Sequence, residues 1–293
     1  MRVSIAFLVK CRTGSCGGEE NNLSLEEIKI CALGALYHGD RPEYLRSCLK
    51  SLRDQTLKIP IIMVVDGPIS GELEDVLKEF DDLGMELIRN AKNGGLANAL
   101  QLGINLIALE YEYAIRFDAD DVNVNHRFEA IRNYFIATKV DLVSSHMKEM
   151  DENGVIFSER VVPVGAAQVR KMIPYRNPIN HPASAFKISS VIAVGGYRDM
   201  AFFEDWYLWA RMLNAGCTVD NIDEHLVNFR ATDDMVARRY GLSYVKNEAI
   251  FFLRRGEEGL VNPFENLAAF TARLMVKMFG FTAYKNIFYW IRK

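Results

Sequence analysis

The sequence lacks several features that would assign it to a membrane, secreted or nucleic-acid-binding class. No hydrophobic run reaches the length of a transmembrane helix. The formal net charge of −3 provides no broad basic surface for nucleic acid. Cysteines are few and odd in number, which argues against a disulfide framework and favours a reducing compartment. They are scattered as Cys11, Cys16, Cys31, Cys48 and Cys217.

Phosphate-binding glycine loops are also missing from the place where they are expected. The turn after the first predicted strand is His38-Gly39-Asp40, without the G-x-G-x-x-G pattern of dinucleotide-binding dehydrogenases. A nucleotidyltransferase would carry a glycine-rich, basic loop there. The 293 residues, 49% apolar and 25% charged, fit a soluble globular protein of one large domain, with or without an appendage.

Strand and helix patterns alternate from residue 28 onward. Apolar runs at 28–37, 59–65, 85–88 and 113–117 predict four buried strands. Amphipathic helical patterns lie between them. This alternation predicts an α/β fold with a mostly parallel sheet and right-handed crossovers.

An aspartate follows the first, second and fourth of these strands, namely Asp40, Asp66 and Asp118. Ligands of open α/β sheets bind beyond the carboxyl ends of the strands, so these side chains indicate a candidate site. Asp40 also suits the N-cap position of the following helix.

The stretch from Asp118 to Asp121 places three carboxylates within four positions. Asp118 and Asp120 suit a hard divalent cation that is also held by the phosphates of a ligand. A solvated acidic loop or a helix N-cap is the alternative for an isolated pair of this kind. The surrounding motifs therefore decide between the two interpretations.

The second half of the chain adds further elements. The segment 148–162, with Asn153-Gly154 at its centre, predicts a β-hairpin. Gly195-Gly196-Tyr197 predicts a tight turn. The segment 202–213 predicts a helix that opens with Glu204-Asp205 and closes at Gly216.

The order and spacing of these motifs resemble those of family 2 glycosyltransferases with the GT-A fold, particularly the bacterial branch that builds capsules, exopolysaccharides and O-antigens. The motifs are the strand ending at Asp66, Asn93-Gly-Gly-x-Ala-Asn98, Asp118-Ala-Asp-Asp121, Gly195-Gly-Tyr197 and Glu204-Asp205-Trp206. The resemblance covers about residues 28–230. It divides the chain into an N-terminal extension (1–27), a catalytic domain (28–230) and a C-terminal helical region (231–293).

The resemblance implies roles for particular residues. Asp120, with Asp118, would hold Mn²⁺ or Mg²⁺, and Asp118 would alternatively meet the ribose of a nucleotide-sugar. Other residues expected on the nucleotide-sugar side are Asp40, Asp66, Gly94, Gly95 and Asn98. Asp205 would be the general base, with Glu204 beside it. His181 and Trp206 are candidates for the acceptor or phosphate side.

Each of these roles has a structural alternative. Glu204 and Asp205 also suit the first turn of any helix, where negative charge is favourable. Gly94 and Gly95 also suit a simple turn, and His181 a structural histidine. For His126 and Arg127, which follow the acidic stretch, a helix-surface role is favoured. At least one of Trp206 and Trp209 is expected in the core.

The sequence therefore predicts an inverting, metal-dependent glycosyltransferase that uses a nucleoside-diphosphate donor, UDP-linked by preference. Its acceptor is expected to be a lipid-linked saccharide at the cytoplasmic face of the plasma membrane. The alternatives are a nucleotidyltransferase and a non-catalytic scaffold of a polysaccharide assembly complex.

The C-terminal segment 266–293 has its own pattern. It contains five basic residues, no acidic one and many aromatic ones. This composition predicts peripheral association with an anionic membrane surface. A helical pair that packs on the core or forms a dimer is the competing interpretation.

Overall fold

The computed structural model describes residues 28–232, 235, 237–278 and 287. The strands are β1 (Ile30–Leu36), β2 (Ile61–Asp66), β3 (Glu86–Asn90), β4 (Tyr113–Asp118), β5 (Val122–Asn123), β6 (Leu142–Met150), β7 (Ile156–Arg160), β8 (Ala185–Lys187) and β9 (Val219–Arg230). The predicted extension 1–27 and the end of the C-terminal segment lie outside these residues.

The α-helices alternate with the strands in the first half of the chain and flank the sheet in the second. They are α1 (Pro42–Arg53), α2 (Gly71–Glu79), α3 (Leu96–Ile107), α4 (Arg127–Thr138), α5 (Ala166–Met172), α6 (Ile188–Ala193), α7 (Glu204–Asn214), α8 (Leu242–Glu257) and α9 (Pro263–Met278). The predicted α/β fold is confirmed.

The parallel part of the sheet is formed by the first four strands. The order along the sheet is β3-β2-β1-β4-β8-β6-β9-β5, with β7 paired to β6. β3, β2, β1 and β4 are parallel to one another. Their carboxyl ends therefore meet at one edge, which brings the strand-end aspartates together.

The remainder of the sheet is mixed. β8 is antiparallel to both β4 and β6, and β9 is parallel to β6. β6 and β7 form the antiparallel hairpin that Asn153-Gly154 predicted, with Gly154 at φ +83°. The sheet is therefore parallel over its first half and mixed over its second, where β8 separates β4 from β6.

Two apolar cores cover the two faces of the sheet, as period-two alternation requires. In β2, Ile62 and Val64 face the core under α3 and α7, whereas Ile61, Met63 and Val65 face the core under α1, α2 and α4. Because both faces of β2 are covered, all six of its residues are buried.

The C-terminal helices pack on the catalytic domain. Phe251 of α8 stacks on Phe203, with ring centroids 4.8 Å apart, and contacts the Trp206 ring at 4.9 Å. Glu248 of α8 is fully buried and pairs with Arg273 and Lys277 of α9. Two of the five cations expected to meet lipid are therefore neutralised inside the protein, which corrects that part of the prediction.

Three of the five cysteines lie in the described part of the chain, and all three are free thiols. They are Cys31, Cys48 and Cys217. Among the described helices, none has the length and hydropathy needed to cross a bilayer.

Candidate active site

The strand-end aspartates converge as expected at the carboxyl edge of the parallel strands. Asp66 is the last residue of β2, and Asp118, the last of β4, pairs in register with Ala35 of β1. Asp40 lies in the turn between β1 and α1. Burial raises the pKa of Asp40 to about 7, and the charges of Asp120 and Asp118 contribute to this shift. Asp40, Asp118 and Asp120 therefore belong to one electrostatic cluster.

Asp40 does not cap α1, contrary to the prediction. Arg41 occupies the N-cap position, and no side chain caps the helix. Asp40 Oδ2 instead accepts a hydrogen bond of 2.9 Å from the Tyr37 amide. The side chain thus closes the β1–α1 turn and does not interact with the helix end.

Three carboxylates form a candidate metal centre beside this turn. One oxygen from each of Asp118, Asp120 and Asp121 lies within 4.8 Å of the others. Asp121 Oδ1 accepts from the Arg230 amide at 2.8 Å, whereas the buried Oδ2 has no hydrogen-bond partner. An unpartnered buried carboxylate oxygen is costly unless a cation meets it. Asp121 is thus a third candidate ligand, added to the predicted pair.

The electrostatics of the cluster also favour a divalent cation. Burial, followed by the Asp118 charge, raises the pKa of Asp120 to about 6. Burial and the charges of Asp120 and Asp118 raise the pKa of Asp121 well above its ordinary value. Mutually repelling carboxylates of this kind suit a hard cation with oxygen ligands, so the residues fit Mg²⁺ or Mn²⁺.

Arg116 is the central cation of the site, and the sequence analysis did not single it out. It lies on β4 two positions before Asp118, so both side chains point to the same side of the sheet. Its guanidinium is 1% exposed and holds both Asp118 oxygens, one of them at 3.0 Å. Its charge also opposes the rise in pKa that burial causes at Asp120, Asp121, Glu204 and Asp205.

We expect Arg116→Met to lower the free energy of unfolding by about 3–5 kcal/mol, because it leaves the Asp118 charge without its buried partner. Arg116→Lys should cost less, since lysine keeps the charge but cannot hold two oxygens at once. Urea denaturation at neutral pH measures both effects. Adding Asp118→Asn to Arg116→Met should recover part of the loss; no recovery would mean that packing, not charge, determines the effect.

Arg230, at the end of β9, fixes the loop that carries Asp120 and Asp121. Its amide donates to Asp121, and its Nε donates to the Asp120 carbonyl at 3.1 Å. Its guanidinium lies over the Tyr44 ring of α1, 3.9 Å from the centroid. From the other side, the buried Cys48 thiol donates to the Asp118 carbonyl at 3.2 Å. The acidic loop is therefore held between α1 and β9.

Asp66 organises the glycine loop between β3 and α3. The side chain is 2% exposed and accepts from the amides of Gly94 (3.0 and 3.1 Å) and Gly95 (2.8 Å), and from Asn90 Nδ2 at 3.0 Å. The two glycine amides expected near a nucleotide are thus engaged by Asp66. Asn98 is exposed and donates to the Gly94 carbonyl at 2.7 Å.

Asp205 and Glu204 lie at the start of α7, within the field of Arg116. Asp205 Oδ2 accepts from Asn177 Nδ2 at 2.7 Å, and Oδ1 accepts from the Trp206 amide at 2.6 Å. Burial raises the pKa of Asp205, and burial with the Asp205 charge raises that of Glu204 to about 7. A carboxylate with a raised pKa is a better proton acceptor near neutral pH, as a general base requires.

The Gly195-Gly196-Tyr197 turn contacts Gln101 of α3 and His181. Gly196 has φ +62°, and a Cβ there would lie 1.9 Å from Gln101 Oε1. The Tyr197 amide donates to that oxygen at 2.7 Å, and the Tyr197 hydroxyl lies 2.7 Å from His181 Nε2. Burial lowers the pKa of His181 well below its ordinary value. His181 is therefore a neutral, buried residue, consistent with its structural alternative.

Two other expectations need correction. Both Trp206 and Trp209 are buried, and the Trp206 indole donates to the Ile173 carbonyl at 2.9 Å, so it has no open face for an acceptor sugar. Arg127, expected on a helix surface, is fully buried and donates to the carbonyls of Arg116 and Pro182. The His126 side chain is 45% exposed, consistent with the helix-surface role, and lies 3.1 Å from Glu224.

Comparison with known proteins decides the family. The model of glycosyl transferase family 2 matches residues 37–187. This chain belongs to that family. A glycosyltransferase of Haemophilus influenzae is 31% identical over 89% of this chain and 98% of its own length. A UDP-Gal:α-D-GlcNAc-diphosphoundecaprenol β-1,3-galactosyltransferase of Escherichia coli is 34% identical over 77% of this chain and 82% of its own.

Solved structures agree with the GT-A fold of this glycosyltransferase. TarS of S. aureus superposes with a TM-score of 0.62 at 12% identity, over 84% of this chain and 43% of its own. Its 1–349 fragment, solved with UDP-GlcNAc, gives 0.60 at 14% identity, over 77% and 66%. The family match includes the strand-end aspartates and ends before Glu204 and Asp205, so only the charge of Arg116 connects this pair to the donor side.

Proposed function

We propose that this glycosyltransferase is an inverting, metal-dependent enzyme that transfers a sugar from a UDP-linked donor to a lipid-linked acceptor of a bacterial surface glycan. The observation that carries the proposal is the interaction of one buried cation, Arg116, with two sets of carboxylates. It holds Asp118 of the acidic cluster, and its charge also opposes the rise in pKa that burial causes at Glu204 and Asp205. We therefore propose that the donor-side and acceptor-side groups serve one active site.

On the donor side, Asp120 and Asp121 would hold the cation with one oxygen each, and Asp118 would complete the set while remaining paired with Arg116. When bound, Mn²⁺ or Mg²⁺ supplies charge stabilisation to the departing diphosphate. Arg230 and Cys48 hold the acidic loop in place by donating to the backbone carbonyls of Asp120 and Asp118. Asp66 holds the Gly94–Gly95 loop through the amides of both glycines.

On the acceptor side, Asp205 would take the proton of the attacking hydroxyl. The hydroxyl oxygen forms a bond to the anomeric carbon while the bond to the diphosphate oxygen breaks, so the anomeric configuration inverts. Asn177 orients the carboxylate by donating to Oδ2. Each carboxylate oxygen has a second lone pair, so Oδ2 still has acceptor capacity for the hydroxyl proton.

The relatives support the substrate classes. One is named for UDP-Gal and a diphosphoundecaprenol-linked GlcNAc, one for amylovoran biosynthesis in Erwinia amylovora, and one for O-antigen biosynthesis in Escherichia coli. UDP and UDP-GlcNAc occupy the TarS fragment. These names support our proposal that the enzyme acts on a lipid-linked saccharide at the cytoplasmic face of the plasma membrane.

A donor and acceptor screen tests the proposal. The donors are UDP-Glc, UDP-Gal, UDP-GlcNAc, UDP-GalNAc and GDP-Man, and the acceptor is a short-chain lipid diphospho-sugar. We expect transfer from one UDP-sugar that requires Mn²⁺ or Mg²⁺, stops with EDTA and yields an inverted linkage by NMR. Retained configuration would contradict the mechanism. Pyrophosphate release from a nucleoside triphosphate and a sugar phosphate would instead indicate a nucleotidyltransferase.

A further inference from the structure

The helix α9 exposes an apolar stripe along its whole length. Phe264, Leu267, Thr271, Met275 and Met278 follow one another at intervals of three or four residues, so they lie on one helix face. Phe264 is 85% exposed, Leu267 65%, Met275 54% and Met278 80%. We call these five residues the outer stripe. At about 1.5 Å per residue, it is roughly 20 Å long.

No charged side chain of α9 lies on the outer stripe. Arg273 and Lys277 both turn inward to Glu248, and the Lys277 side chain is 6% exposed. Glu265 accepts a hydrogen bond of 2.9 Å from the Tyr175 hydroxyl. The helix therefore directs its charges toward the protein and its large apolar side chains toward solvent, opposite to an ordinary surface helix.

We infer that the outer stripe inserts into the interfacial region of a lipid bilayer. This inference deepens the proposed function and rests on its lipid-linked acceptor. The sequence that follows α9 supports it, because residues 279–293 contain Lys285, Arg292 and Lys293, no acidic residue and several aromatic ones. An apolar helix face beside aromatic and basic residues is the composition of an interfacial anchor.

A second copy of the chain fits the stripe less well. A stable protein interface buries about 800 Å² on each partner and uses about 20–30 residues of each. The outer stripe has five residues on a single helix, far fewer than such an interface uses. A bilayer requires no minimum area and no matched partner surface. The stripe therefore favours lipid.

The stripe is rigidly connected to the catalytic side of the fold. Phe270 of α9 packs on Phe252 of α8, with ring centroids 5.2 Å apart, and Phe252 contacts Trp206. Arg255 of α8 donates to Asn266 of α9 and to the Pro174 carbonyl. Since Trp206 directly follows Asp205, a bilayer under α9 would orient the acceptor side of the enzyme relative to lipid-linked substrates.

Vesicle co-sedimentation tests the inference on the full-length chain. The probe is vesicles of phosphatidylglycerol and phosphatidylethanolamine, and the test variant is Phe264→Glu/Met275→Glu. The matched control is Leu106→Glu/Leu109→Glu at the end of α3, where the side chains are 55% and 98% exposed. Both variants add two negative charges at exposed positions. We expect at least about tenfold weaker vesicle binding for the test variant, from the loss of two inserted side chains, and unchanged binding for the control.

Three outcomes would overturn the inference. The first is that the wild type does not bind the vesicles. The second is that the test variant binds as well as the wild type, as it would if another segment of the chain covered the stripe. The third is that light scattering shows a wild-type dimer, which the two substitutions of the test variant convert to a monomer. Transfer to a water-soluble acceptor should be equal in all three proteins. Its absence from all three would contradict the proposed function and leave the vesicle result intact.

Discussion

Replacing Asp205 with asparagine should lower kcat by about 10²–10⁴-fold, the usual contribution of a positioned general base, while donor binding remains nearly unchanged. Asparagine has the same shape, so α7 and the packing of Trp206 are preserved. The amide cannot accept the hydroxyl proton. The measurement is steady-state transfer at saturating donor, combined with calorimetric titration of UDP. An equal loss of UDP affinity would instead place Asp205 in the donor site.

Glu204→Gln is the matched control, because it removes the neighbouring carboxylate and keeps Asp205. Burial and the Asp205 charge raise the pKa of Glu204, so Asp205 ionises while Glu204 is still protonated and neutral. A neutral glutamine therefore leaves the ionisation of Asp205 nearly unchanged. The acid limb of the kcat/KM profile should stay near its wild-type position, with substantial activity retained above it. Glu204→Gln activity as low as that of Asp205→Asn would identify Glu204 as the base.

The parallel half of the fold could be predicted because its signals are local. The apolar runs of β1, β2 and β4 end at turns with aspartate, and each helix between them carries its own periodicity. The position of β8 could not be predicted in this way. Its three residues pair antiparallel with both β4 and β6, and such long-range pairing leaves no pattern in a three-residue segment.

The residues of the candidate site also differ in whether a local sequence signal predicts them. Asp118 and Asp120 follow a recognisable strand, so their position could be predicted, whereas the buried ion pair of Arg116 could not. The sequence of an apolar strand does not indicate which residue pairs with an arginine inside it. Only the structure shows that Asp118, two positions further along β4, lies on the same face of the sheet as Arg116 and pairs with it. Asn177 had no signal beyond its proline-rich loop. Trp206 was misplaced because the helix that covers it, α8, begins only at Leu242, too far along the chain to leave a local signal.

Asp120→Ala should abolish transfer and metal-dependent UDP binding while leaving the fold intact. The carboxylate is a member of the only group of three or more potential metal ligands found within the described residues. Asp75→Ala, which removes an exposed carboxylate paired with Lys78, is the matched control and should transfer at the wild-type rate. Transfer by Asp120→Ala at the wild-type rate would contradict the proposal that Asp120 belongs to a metal centre needed for catalysis.

Thermal unfolding provides a readout for the same site that does not depend on turnover. In EDTA, Asp120→Asn should unfold at a slightly higher temperature than the wild type at pH 8, because it removes one of three closely spaced, mutually repelling carboxylates. The destabilisation by Asp120 is present above its folded pKa of about 6 and disappears as pH falls to the ordinary value of 3.8. Adding Mn²⁺ should raise the unfolding temperature of the wild type and not that of Asp120→Asn, since only the complete set binds the cation tightly. Equal stabilisation of both proteins would show that the cation binds elsewhere.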